Sequence, residues 1–110
     1  MGAAGAGLAA VAAVFPAESR PYARARHAVI MANTGLHERE LIKMANLAAA
    51  VAGALRDRGV AEPAASLTGE AAVAVFKVAL TRWINGDDEV PLSTLMADSL
   101  AGLKDVAAAG

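Results

Sequence analysis

Hydrophobic positions in this chain recur at steps of three and four residues, and no run alternates apolar and polar residues as a half-buried strand requires. Proline and glycine divide the pattern into five helical segments. The first spans about Leu8 to Phe15 and stops at Pro16, with the small residues Gly2, Gly5 and Gly7 leading into it. The second covers about Ala17 to Ala32 and places Tyr22, Ala25, Val29 and Ala32 on one side, with Arg20, Arg24 and His27 on another. The third begins after Asn33 or Thr34, either of which can cap it, and ends at Gly59. Leu41, Met44, Ala48, Val51 and Leu55 form its core stripe, opposite Arg39, Lys43, Asn46 and Asp57. Glu38 and Glu40 near its start and Arg56 and Arg58 in its last turn complement the helix dipole.

The fourth segment starts at Pro63, a residue suited to a first helical position, and runs to about Ile84, closed by Asn85-Gly86. Its polar strip is narrow, essentially Glu70, Lys77 and Thr81. Leu67, Val73, Val75, Phe76, Val78, Leu80, Trp83 and Ile84 cover most of the circumference. A helix apolar nearly all round is buried nearly all round, so in a chain this small one face is predicted to meet the core and another a second copy. The fifth segment, about Pro91 to Ala107, carries Leu92, Leu95, Met96, Leu100, Leu103 and Val106 on one face, with Asp98 and Asp105 on the other. The fold class is therefore all-α: a five-helix bundle forming a single domain over residues 1–110.

Composition narrows the function. Hydrophobic residues make up 56% but aromatics only 4%, and the abundant alanine favours helix. Ten basic and eleven acidic residues leave a net charge of −1, which offers no positive field to a nucleic-acid backbone. The absence of cysteine removes disulfides, thiolate metal sites and a cysteine nucleophile, and points to a reducing cytoplasm. Gly2 to Phe15 is apolar but too short to span a bilayer, lacks the basic start of a signal peptide, and has Ala6 where a myristoylation signal wants Ser or Thr. No membrane partner is expected.

No motif in the chain specifies catalysis. His37-Glu38-Arg39-Glu40-Leu41 begins like a zinc-protease helix, but Leu41 occupies the place of the second histidine, and His27 falls on a separate helix. Asp87-Asp88-Glu89 lacks the spaced ligands and central glycine of a calcium loop. No metal, cofactor or catalytic residue is assigned. Arg20, Arg24, Arg26 and His27 suit either a solvated face or contact with phosphate, an anionic effector or another domain. Phe15, Tyr22, Met31, Met44, Leu47 and Phe76 are candidates to line a ligand cavity, with Tyr22, Arg26 and Asn46 as the polar groups that would orient its occupant. Val73, Phe76, Leu80, Trp83, Ile84, Leu92, Met96, Leu100 and Leu103 are the candidates for the interface between copies.

From Arg24 to Ile84 the chain resembles the C-terminal half of a TetR-type, AcrR-like bacterial transcriptional regulator. The resemblance is carried by Arg24-Ala25-Arg26-His27-Ala28-Val29-Ile30, by Asn33-Thr34-Gly35-Leu36-His37-Glu38-Arg39-Glu40, by Leu55-Arg56-Asp57-Arg58-Gly59-Val60, and by Ala74-Val75-Phe76 through Arg82-Trp83-Ile84. Thr34-Gly35 stands where such regulators usually have Pro-Glu. The resemblance implies an effector-binding and dimerisation domain, with a small, largely apolar effector and a four-helix bundle shared between twin subunits. It also implies that DNA is reached only through a helix-turn-helix domain not contained in these residues. Two other readings compete with it. One is a pure dimerisation module without ligand; the other is a small helical enzyme working through arginines, which would need several buried arginines converging on one pocket, whereas Arg39, Arg56 and Arg58 fall on solvent faces or helix ends.

Overall fold

A computed structural model describes residues 19–86 and 90–109. Among these residues every regular element is a helix: α1 (Arg20–Ala32), α2 (Thr34–Asp57), α3 (Ala64–Asn85) and α4 (Leu92–Ala109). They correspond to the second to fifth predicted segments; the first, Leu8 to Phe15, lies outside the described residues. Among the described residues the second segment is α-helical from Arg20, with Pro21 in the first turn, where a missing N–H leaves no bond unmade; its predicted start at Ala17 lies outside them.

Local chemistry explains each boundary. A single extended residue, Asn33 (φ −127°, ψ 113°), separates α1 from α2, and its Oδ1 accepts the Leu36 N–H at 3.0 Å. Asn33 rather than Thr34 is thus the cap. At the far end of α2, Gly59 takes φ 90°, which an L side chain resists, and so lets Gly59 N donate to Arg56 O and Val60 N to Leu55 O at 2.9 and 3.0 Å. Gly86 behaves differently. It closes α3 in extended conformation (φ −80°, ψ 148°), so the last carbonyls of α3 are not satisfied by a left-handed glycine turn.

The core is built around α3. Over its first half the buried residues are small: Gly69 of α3 meets Ala48 and Ala52 of α2, and Ala65 and Ala72 of α3 are buried with them. A Cβ on Gly69 would stand 2.5 Å from the Ala48 carbonyl oxygen and 3.1 Å from Ala52 N, so only glycine allows this approach. Over its second half the side chains enlarge. Val75, Phe76, Ala79, Trp83 and Ile84 form one cluster with Leu92, Leu95 and Met96 of α4, and Ala23 of α1, Met44 and Val51 of α2, Leu80 and Leu100 pack on its margin. The length and composition of α3 would also suffice to cross a membrane. Its large side chains at Phe76, Trp83 and Ile84 are instead engaged with the chain's own helices, as in the core helix of a folded domain.

Helix α1 reverses the predicted facing. Ile30 is its one buried hydrophobic residue among those described, and Ala23 and His27 flank it half-buried. Tyr22, Ala25, Val29 and Ala32, the predicted apolar side, are all exposed. Arg20 and Arg24 lie on the side turned toward α3.

Candidate functional site

The residues proposed to line a ligand cavity do not converge. Phe15 lies outside the described residues. Tyr22 is 75% exposed, and Met31, Asn46 and Leu47 also face outward. Phe76 is buried in the core and Met44 is half-buried against it. Arg26 is held at the surface by Glu40, 3.3 Å away, which joins α1 to α2. Among the described residues a groove lies between α2 and α3, a shallow depression of about 190 Å³ lined by Ala48, Ala49, Ala52, Arg56, Ser66 and Glu70. Its floor is alanine and its rim polar, and it is smaller than the roughly 300–1,000 Å³ of usual small-molecule sites.

One end of that groove is a capping cluster. Glu62 Oε1 accepts from Arg56 Nη1 at 2.8 Å and from the Ser66 hydroxyl at 3.0 Å, while its Oε2 accepts the Ser66 N–H at 3.3 Å. The Arg56 bond foremost, then the Ser66 hydroxyl, holds the Glu62 carboxyl below its ordinary value of 4.5. The carboxylate thus occupies the first turn of α3, where free N–H groups and the helix dipole favour negative charge.

The predicted interface residues are mostly internal to the chain. Trp83 and Leu92 are fully buried, Val73, Phe76, Ile84 and Met96 are buried, and Leu80 and Leu100 are half-buried on the same core. In the single chain, of the nine, only Leu103 is exposed. The reason is that α4 and α2 already cover two sides of α3, so the large side chains at these positions meet their own chain's helices.

A different apolar surface remains on the same two helices. On α3, Leu67, Ala71, Ala74 and Val78 recur at helical spacing away from the core; Leu67 is 65% and Val78 55% exposed. On α4, the stripe that starts with buried Leu92, Leu95 and Met96 continues through Ser99 to Leu103 and Val106, and Val106 is 71% exposed. The periodicity of α3 had indicated a second apolar face; the positions that form it are Leu67, Ala74 and Val78 rather than Phe76 and Trp83.

The basic residues of α1 separate into two roles. Arg26 forms the surface ion pair with Glu40. Arg24 donates from Nε to Ile84 O at 2.7 Å and from Nη2 to Gly86 O at 3.1 Å, and Arg20 Nη2 donates to Val90 O at 3.0 Å. The Arg20 guanidinium also lies over the Trp83 ring, 5.5 Å from its centroid. Arg39, Arg56 and Arg58, which an arginine-based catalytic pocket would need to converge, all occupy exposed positions. His27 and His37 are half-buried, each on a different helix.

Over residues 1–108 the chain matches the family model described as the MftR C-terminal domain, one of the TetR-type C-terminal domains. No curated protein and no solved structure matches it. A match over nearly the whole chain agrees with the order of basic helix, capped long helix, glycine turn and Trp-terminated helix seen in the sequence. The chain belongs to the C-terminal domains of TetR-family regulators, in the MftR C-terminal domain family.

Proposed function

We propose that this chain is the regulatory domain of a TetR-type transcriptional regulator, pairing with a second copy through α3 and α4 and binding a small, largely apolar effector. The observation that carries the reading is the uncovered apolar stripe Leu67, Ala74 and Val78 on α3, together with exposed Leu103 and Val106 on α4, the helix packed against it. Exposed apolar residues repeated at helical spacing on two packed helices suit a self-complementary, two-fold interface, in which each helix meets its own copy. DNA would be contacted by a separate domain, since a net charge of −1 gives this one no attraction for phosphate. The setting is cytoplasmic and the role regulatory rather than catalytic. Family membership supports both parts of the reading, and the effector part rests on it.

Thermal unfolding tests both parts. A dimer whose folding is linked to association unfolds at a midpoint that rises with protein concentration, and an effector that binds the native state raises it further at fixed concentration. A midpoint independent of concentration would count against dimerisation. A midpoint that rises with concentration but is indifferent to a broad panel of apolar small molecules would favour the pure dimerisation module.

A further inference from the structure

We propose that α1 is a latched helix that detaches as a unit from the α3–α4 corner, so that its seating and the conformation of that corner are coupled. The argument begins with what holds α1 in place. Of its described side chains only Ile30 is a buried hydrophobe, and its apolar side, with Tyr22 and Val29, faces outward. Apolar burial therefore contributes little. Apart from Ala23, which packs half-buried on the core margin, and the Arg20 guanidinium over Trp83, its attachment to the corner is made by hydrogen bonds at one end: Arg24 bridges Ile84 O and Gly86 O, and Arg20 reaches Val90 O.

Those three carbonyls lie on both sides of the connection between α3 and α4. Because Gly86 is extended, α3 does not close with a left-handed glycine turn, and Arg24 donates to a carbonyl of its last turn from another helix. A cation at a helix C-terminus is favoured by the dipole, and a planar guanidinium presents donors on separate nitrogens in a fixed fork that suits two acceptors better than the single nitrogen of an ammonium. Arg20 and Arg24 are one turn apart on α1, so the pair fits the three carbonyls only while Ile84 and Gly86 at the end of α3 and Val90 before α4 keep their present positions. Any change in how α4 leaves α3 breaks the match, and withdrawing α1 uncaps the corner. By linkage each state biases the other to the same extent. The proposal does not depend on dimerisation, because every group in the latch belongs to one chain.

Trp83, the only tryptophan in the sequence, is fully buried in the core beneath Arg20 and reports directly on the latch. In Arg20→Ala/Arg24→Ala, Trp83 emission shifts to the red and acrylamide quenching rises while far-UV helix content is retained. Arg24→Lys, which keeps the charge but loses the fork that places Nε and Nη2 on separate carbonyls, gives a smaller shift. Native-state hydrogen exchange of the unmodified chain provides a second measurement that needs no variant. The amides of α1 should exchange through an opening shared along the helix and lower in free energy than that of α3. Unchanged Trp83 emission and quenching in a folded double variant would overturn the proposal, as would α1 amides that exchange only with global unfolding.

Discussion

At Gly69 the backbone of α3 approaches that of α2 closely, and it is a position at which one methyl group matters. Its Cβ would press on the Ala48 carbonyl and on Ala52, which are backbone and short side chain, so nothing flexible can yield. Gly69→Ala is expected to cost about 1–3 kcal/mol, the range for overpacking, despite the better helix propensity of alanine. Urea denaturation checks this, and equal or greater stability would mean that the helices separate freely there. The same contact shows what a sequence conceals. Gly69 inside a helical pattern reads as a small propensity defect, whereas its partner, Ala48, is 21 residues away in a stripe that otherwise resembles any alanine-rich helix face.

At the scale of elements, boundaries were the most legible feature, because caps are local chemistry. Asn33, Gly59 and Pro63 each stand at or beside a helix end, and their side chains or backbone freedom account for it. The facing of α1 was not legible. Tyr22, Ala25 and Val29 suggest a core stripe, yet the helix turns Arg20 and Arg24 inward, since a helix end without a left-handed glycine turn supplies carbonyl acceptors that no apolar side chain can satisfy. An arginine pair at one-turn spacing is the signal that pointed there, but its acceptors become identifiable only once the fold brings α1 to Ile84, Gly86 and Val90. The start of α3 supplies an element-scale prediction. Because Glu62 has a lowered pKa in the folded state, its contribution is fully present above its unfolded value, near 4.5, and is lost as pH falls through the folded value. Wild type should therefore exceed Glu62→Gln in stability at neutral pH, and the gap should close as denaturation is repeated below pH 4.5. A gap unchanged in acid would show that the carboxylate charge has no part in capping α3.

For the whole molecule, the sequence conveyed the class of fold and the apolar excess of α3, and periodicity could not say which apolar positions a chain keeps for itself. Phe76, Trp83, Leu92 and Met96 are large and were assigned to a partner; they are core because α4 folds back along α3. The residual surface is built from smaller or terminal positions, Leu67, Ala74, Val78, Leu103 and Val106, which a wheel drawn from one helix does not distinguish. The ligand candidates were dispersed for a related reason: residues on α1, α2 and α3 were grouped by chemistry, and only the packing decides which faces oppose one another.

Dimerisation through the outer face of α3 is the central claim, and sedimentation equilibrium of three proteins at micromolar concentration tests it most directly. Val78→Glu would place a charge in a desolvated, unpaired position if Val78 is covered by a second copy, a penalty of several kcal/mol. The same substitution on the exposed side of α2, Asn46→Glu, provides the control. The expected result is a dimer for the wild type and Asn46→Glu, and a monomer with native helix content for Val78→Glu. A monomeric wild type, or a Val78→Glu variant as dimeric as the wild type, would contradict it.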